Sequence, residues 1–303
     1  MDFTKWKQRC SSLGHIMTNL KKEGATPRQL ELSERKEKAL KGEAKELTPK
    51  MEEELAELIK KSKAPDVLSS GVYTHLDDVF RSAYWGRKRI LDNKFLSKGN
   101  FCEEDSIDLV SKIEGKFLAK NKTRFSNNFI EGEPDINEEI IHDTKSSWDM
   151  DTFDKAELTS LYEWQIKGYC ILTDKIAGRL DYCLVNAPEH LIVAEKNSMF
   201  YKMGTPDLMN DKYLENIRQI ERNMIFDIKK FKEDNPYYDF DNEVLDFDVP
   251  KEFRIKSFDV SLDKTDVVNV ERRVKMCRIY LVKKSQDIEM KRAMLNKVEL
   301  EVV

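Results

Sequence analysis

Apolar residues recur at three- and four-residue intervals over most of the chain, which predicts a helix-rich protein. Within residues 1 to about 68, SERKEKALKGEAKEL and TPKMEEELAELIKKSK place Leu and Met at helical spacing. Thr48 is a candidate N-cap with Pro49 at the first helical position, and Lys63-Ala64-Pro65-Asp66 reads as a stop. This stretch is expected to form a helical arm or hairpin packed on the main body, or, given its charge density, a disordered tail. A denser section starts at Leu68. Val72, Leu76, Val79, Phe80 and Tyr84 predict one helix, and Ile107, Val110 and Ile113 a second over Glu103 to Glu114.

The pattern then changes period. In RFSNNFIEGEPDIN, Phe125, Phe129 and Ile136 punctuate short extended segments, while Gly132 and Pro134 break any helix. EIIHDTKSS reads as a strand, SLYEWQIKGYCIL as a helix and RLDYCLVN as a strand. The order helix–strand–strand–strand–helix–strand over residues 100 to 187 predicts an α/β (α+β) core with a mixed sheet flanked by helices. After Pro188 come more helices, an acidic aromatic loop from Asp234 to Asp248, the extended piece EFRIKSFDV and a last long helix containing DVVNVERRVKMCRIYLVKKSQ. Three parts are therefore expected: a helical N-terminal arm (1–68), an α/β core (69–190) and a mainly helical C-terminal extension (191–303).

Composition narrows the chemistry. Glycine (11) and proline (8) are scarce in 303 residues, which argues against a loop-rich β-sandwich. No run approaches the ~20 apolar residues of a membrane span, and MDFTKWKQRC lacks the apolar stretch of a signal peptide. Five cysteines (Cys10, Cys102, Cys170, Cys183, Cys277) are scattered without a CxxC pair. They are expected to be free thiols in a reducing, cytoplasmic setting, with no zinc knuckle and no iron–sulfur cluster. Histidines 15, 75, 142 and 190 form no HExxH pair. Any metal is then expected to be held by carboxylates, which suits Mg²⁺ or Mn²⁺. Net charge is −4, but its distribution is uneven: residues 81–124 hold eleven Lys/Arg against six Asp/Glu, and residues 207–248 six against twelve. The basic segment is a candidate polyanion-facing side, with Arg87-Lys88-Arg89 as phosphate contacts; solvated helix faces are the alternative.

The most informative stretch is Gly132-Glu133-Pro134-Asp135 followed by His142-Asp143-Thr144-Lys145. Asp143 and Lys145, two apart on a strand, point to one face. Asp135 lies one short hairpin upstream, so two adjacent strands can present two carboxylates and an amine around one point. That set suits metal-assisted phosphodiester hydrolysis, in which hard oxygen ligands hold the ion and an ammonium offsets developing charge. Gln165 and Tyr169 share a helix face at i, i+4. His142 alternates to the opposite strand face and reads as structural. His75 is a weaker candidate for an auxiliary ligand, and Trp148 and Phe153 for base stacking; packing roles are the alternative for all three.

Taken in order, Pro134-Asp135, Asp143-Thr144-Lys145 and Gln165-x-x-x-Tyr169 resemble the PD-(D/E)XK nuclease superfamily, in its RecB-like and lambda-exonuclease-like branch. Gly99-Asn100-Phe101-Cys102-Glu103 is similar to the helix that supplies a further acidic ligand there. SGVYTHLDDV, KGNFCEEDSIDL, GEPDIN, IHDTKSSWDMDTF, YEWQIKGY and DYCLVNAPE look like successive blocks of YqaJ-type phage recombination exonucleases, over roughly residues 68–190. The resemblance implies a restriction-endonuclease-like core. It implies Mg²⁺, with Mn²⁺ substituting, held by Glu103, Asp135, Asp143 and the Thr144 carbonyl, with Lys145 acting on the attacking water. Gln165 would hold the catalytic groups or the DNA, supported by Tyr169. Asp143 stands where Glu is more frequent, and Glu104 is an alternative to Glu103. The implied activity is digestion of one strand from double-stranded DNA ends. The implied partners are a phage single-strand annealing protein and further copies of the chain, in the cytoplasm of a bacterial host. A structure-specific endonuclease or a catalytically silent end-binding module are the alternatives.

Overall fold

The computed structural model describes residues 2–20, 26–63, 66–90, 93–240 and 247–301. In chain order its elements are β1 (Gln8–Arg9), a 3-10 turn (Cys10–His15), α1 (Pro27–Leu40), α2 (Pro49–Lys63), α3 (Ser70–Trp85), α4 (Lys94–Phe101) and α5 (Glu103–Glu114). They continue with β2 (Phe125–Ser126), β3 (Ile130–Gly132), β4 (Ile136–Asn137), β5 (Ile141–Ser146), α6 (Met150–Asp154), α7 (Ser160–Thr173) and β6 (Ala177–Cys183). The last are α8 (Glu189–Lys202), α9 (Asp211–Met224), α10 (Ile228–Asp234), β7 (Ile255–Ser261) and α11 (Lys264–Glu301). Among the described residues no helix is long and apolar enough to cross a membrane.

The fold is the mixed α/β arrangement that the periodicity predicts. A four-stranded sheet runs β4-β5-β6-β7, with β5 and β6 parallel and both outer pairings antiparallel. Parallel neighbours need a long crossover, and α6 with α7 supplies it. The expected extended piece EFRIKSFDV forms the bulk of strand β7, which pairs along the whole of β6. A smaller sheet, β1-β3-β2, sits beside it.

Alternation along β5 divides the layers. Ile141 and Asp143 face α7, where Ile141 packs with Ile166, Tyr169 and Cys170 in the main core cluster. His142, Thr144 and Ser146 face the other way, towards α5, where Ser106 and Ser146 share a hydroxyl hydrogen bond of 2.9 Å. Close approach of α7 to the sheet depends on Gly178: a Cβ there would lie 2.5 Å from Ile166 Cγ2.

The first twenty residues depart from the helical arm expected for 1–68. Phe3, Cys10, Leu13, Ile16 and Met17 are buried in the same cluster as Ile141 and Ile166, and β1 pairs parallel with β3. The physical reason is apolar density: this stretch carries large hydrophobic side chains, whereas α1 and α2 are mostly polar and bury only Leu32 and Leu55 between them. Arg273 on α11 is fully buried and donates to the carbonyls of Val67, Thr18 and Asn19, tying the last helix to the N-terminal segment. Ala64 and Pro65 of the expected stop, and residues 241–246 of the acidic loop, lie outside the described residues.

Candidate active site

Asp143 and Lys145 emerge on one face of β5 and are hydrogen-bonded to each other. Asp143 is 1% exposed, so its carboxylate needs partners. Gln165 of α7 donates from Nε2 to Asp143 Oδ1 at 2.8 Å and to the Tyr169 hydroxyl at 3.0 Å. The i, i+4 pair therefore acts as one bracket that holds the carboxylate from the helix side. Asp135, just before β4, accepts through Oδ2 from the Thr144 backbone N–H at 2.6 Å and the Thr144 hydroxyl at 2.9 Å. That pins the loop ahead of β4 to the middle of β5.

Glu103 opens α5, where an acidic side chain also complements the positive end of the helix dipole. It forms an ion pair with Lys120 at 3.2 Å. Glu103 lines the same cavity as Asp135, Asp143, Thr144 and Lys145, a space of about 570 Å³. Glu104 points to solvent, with a side chain 84% exposed, so the geometry favours Glu103 of the two.

Among the described residues no three His, Cys, Asp or Glu side chains converge tightly enough to hold an ion as they stand. The cause is visible in their partners. Glu103 is drawn to Lys120, and one oxygen of Asp135 is taken by Thr144. The donor set still suits a hard cation: the carboxylates of Glu103, Asp135 and Asp143 line one wall system, and the Thr144 carbonyl lies 3.4 Å from Lys145 Nζ.

Electrostatics reinforce this. Burial pushes the Asp143 carboxyl up to about 7, aided by the nearby charges of Asp135 and Asp181 and opposed by Lys145. Burial disfavours the Lys145 ammonium, but Asp143 and Asp135 outweigh it and hold its pKa above the ordinary lysine value. Burial likewise raises the Tyr169 phenol, which stays protonated. The ring of Tyr162 lies 5.4 Å from the Lys145 ammonium.

The other candidates separate from this cluster. His142 is buried on the opposite face and bonds through Nδ1 to Asp181 Oδ2 at 2.7 Å, a strand-to-strand tie. His75 lies in a different cavity, where it bonds to Gln8 Oε1 at 3.2 Å and stacks on His15; burial lowers its pKa to about 4. Trp148 and Phe153 are buried in apolar clusters, which removes base stacking as their role.

Arg87, Lys88 and Arg89 follow α3 and line that second cavity, of about 700 Å³, together with Lys5, Lys7, Arg9 and Arg81. Asp2, Asp78 and Glu131 are its acidic members, so its lining is strongly basic. Arg9 and Ser12 line the basic cavity, whereas Ser11 lines the carboxylate cavity. The two spaces thus open on either side of one 3-10 turn. Ser11 opens SSLGHIMTN, a stretch that loosely resembles the same YqaJ-type exonucleases, but nothing in the sequence places it beside Asp143, more than a hundred residues away. Asn100, within the Gly99–Glu103 motif, lines the carboxylate cavity, as do Phe95 and Leu96 of α4, which no motif or apolar stripe marked. Tyr162 could have been found: it shares the helix face of Gln165 and Tyr169 at i, i+3 and i+7.

No protein-family model matches the sequence, and no curated protein does. Among solved structures, the chain is similar to a phage-related exonuclease from Haemophilus somnus 129PT, with a TM-score of 0.56 and 20% identity over 94% of this chain and 97% of that one. An alkaline exonuclease from Laribacter hongkongensis gives a TM-score of 0.49 at 9% identity over 95% and 94% of the two chains. The same enzyme in complex with dAMP gives 0.49 at 9% over 97% of each. The first likeness establishes the fold, which is the one that the PD-(D/E)XK motifs implied.

The Gln165 bracket is testable by itself. Gln165→Leu leaves Asp143 Oδ1 and the Tyr169 hydroxyl each short of a partner. Urea unfolding should show a loss of about 1–3 kcal/mol; an unchanged midpoint at unchanged slope would mean that the bracket does not form.

Proposed function

We propose that this chain is a divalent-cation-dependent DNA exonuclease that hydrolyses phosphodiester bonds from double-stranded ends. The observation that carries the reading is the convergence of Asp135, Asp143, Lys145 and Glu103 on one cavity, from separate places in the chain. The fold shared with a phage-related exonuclease supports it.

Glu103, Asp135, Asp143 and the Thr144 carbonyl would hold Mg²⁺, or Mn²⁺ in its place; when bound, the ion supplies Lewis-acid polarisation of the phosphate and eases ionisation of water. The chain's own groups do the rest. Lys145, kept protonated by Asp143, sets a positive charge where the phosphorus gains negative charge. Gln165 fixes the rotamer of Asp143. Thr144 fixes Asp135. Arg87, Lys88 and Arg89, with the basic cavity they border, draw the duplex towards a protein of net charge −4 that would otherwise repel it. The strand left behind is single-stranded DNA, the substrate of an annealing protein in recombination.

The test is digestion of an end-labelled linear duplex beside a covalently closed circle of the same sequence. The linear form should disappear in Mg²⁺ while the circle survives, and Asp143→Asn and Lys145→Ala should each lower the rate about 10³-fold or more. Cutting of the circle would replace the exonuclease with an endonuclease; binding of both forms without cleavage would leave an end-binding module.

Replacing Arg87, Lys88 and Arg89 with Glu should weaken binding to linear duplex and flatten the salt dependence. The slope of log affinity on log salt should fall by roughly one unit for each phosphate that is no longer neutralised. Wild-type affinity at low salt would move the docking face elsewhere. The basic stretch of α11 is a poor substitute, because Arg273 is buried and Arg278 donates to the carbonyls of Trp6 and Asn128.

The raised pKa of Asp143 gives a signed pH dependence. Below about 7 its carboxyl carries a proton that a cation must displace. Affinity for Ca²⁺, measured by calorimetry, should therefore fall by up to about tenfold per pH unit below that point and level off above it. A flat profile from pH 6 to 8 would mean that no proton leaves Asp143 on binding in that range.

A further inference from the structure

Helix α4 is built the wrong way round for a packed helix. Its large apolar side chains face outward: Phe95 is 54% exposed, Leu96 48% and Phe101 64%. Its one buried side chain is Lys98, which is fully buried. Lysine is almost never found there without a compensating partner. The ammonium has three N–H donors. The structure gives it one acceptor, the Trp148 carbonyl at 3.0 Å, and the face of the Phe226 ring at 5.4 Å. No carboxylate pairs with it among the described residues; the charged or titratable groups that act on it are Cys102, one turn on, and Asp149, next to Trp148. Burial lowers its pKa to about 8, so the amine is largely protonated at neutral pH.

The two segments that this bond joins both belong to the proposed active site. α4 carries Phe95, Leu96, Gly99 and Asn100 on the cavity wall, and Glu103 follows five residues after Lys98. Trp148 comes three residues after Lys145, and Ser147 between them is fixed to β6 by its N–H to the Cys183 carbonyl at 2.9 Å. The chain from Lys98 through Trp148 to β5 is therefore short and hydrogen-bonded throughout. A helix with an apolar buried stripe could slide or rotate on a greasy surface, because apolar contact is non-directional. A buried ammonium on one carbonyl cannot do so without leaving a charge unpaired.

We infer that Lys98 is a positioning residue for the nuclease reaction: it fixes α4, and through it Glu103, in register with the catalytic end of β5. The inference rests on the nuclease reading given above and adds to it a residue that lies outside the motifs. Lys98 touches neither cation nor DNA; it acts through the wall that does.

The test compares wild type, Lys98→Met, Glu103→Gln and the double variant. Methionine keeps the length and removes the charge. Lys98→Met should fold, by circular dichroism and melting, and bind linear duplex in Ca²⁺ as wild type does. Its kcat should fall about tenfold to a hundredfold with little change in KM, the cost of a misplaced wall. The double variant should be little worse than Glu103→Gln alone, because residues that act as a unit are not additive. Independently of any activity, backbone amides of residues 94–101 should exchange with deuterium faster in Lys98→Met, while those of β5 stay protected. Wild-type kcat in the folded variant, losses that multiply, or unchanged exchange in α4 would each overturn the inference. Should Lys98→Met fail to fold, wild type decides: Lys98 acylated by an amine reagent as fast as the surface lysines would show that it is not locked in place, whereas selective protection would support the tie. Failure of the nuclease reading looks different, since wild type itself would then leave linear duplex intact or Asp143→Asn would still cut.

Discussion

A single buried charge organises this molecule. Taking the Asp143 carboxylate out of water costs on the order of several kcal/mol before its partners are counted, and it is 1% exposed. Two neighbouring elements answer that cost. β5 supplies Lys145 and α7 supplies Gln165; Asp135, in the loop before β4, adds repulsion instead, and is itself held by Thr144. The approach of α7 that lets Gln165 reach the strand needs a side chain no larger than hydrogen at Gly178, and the N-terminal 3-10 turn closes over α7 from outside.

The opposite face of the same strand is stapled separately. His142 bonds to Asp181, and Ser257 bonds to the other oxygen of Asp181, so one polar chain crosses β5, β6 and β7. Strand alternation explains how adjacent residues, His142 and Asp143, serve structure and chemistry respectively. The division is not complete at the strand end: Asp143 and Lys145 reach the cavity from the α7 face, while Thr144 and Glu103, the first residue of α5, border it from the other side.

Much of this was legible in the chain itself. The helix over Glu103–Glu114, the strand at Ile141–Ser146 and the helix bearing Gln165 and Tyr169 announced themselves by period, and spacing alone put Asp143 with Lys145. What was not legible depended on tertiary contact. The first twenty residues looked like an arm because charge surrounds them, yet a few large apolar side chains bury them in the core. EFRIKSFDV read as an extended piece, but its pairing as β7 was not legible because its partner β6 lies more than seventy residues upstream. α4 and its buried Lys98 gave no periodic signal, since the helix buries a polar side chain and leaves Phe95, Leu96 and Phe101 largely exposed. Whether Glu103 or Glu104 faces the cavity is a matter of helix register, which periodicity alone does not fix; in the fold it is Glu103 that lines it.

The central claim is that Asp143, Asp135 and Glu103 share one cation. The most direct measurement is the anomalous scattering of Mn²⁺ in crystals of the wild-type protein. A peak should stand about 2.0–2.3 Å from carboxylate oxygens of Asp135 and Asp143, an ordinary coordination distance for a small hard divalent ion. Glu103 should have released Lys120 and turned towards the ion. A peak bound elsewhere, or full Mn²⁺ occupancy with Asp143 still bonded only to Lys145 and Gln165, would contradict the account.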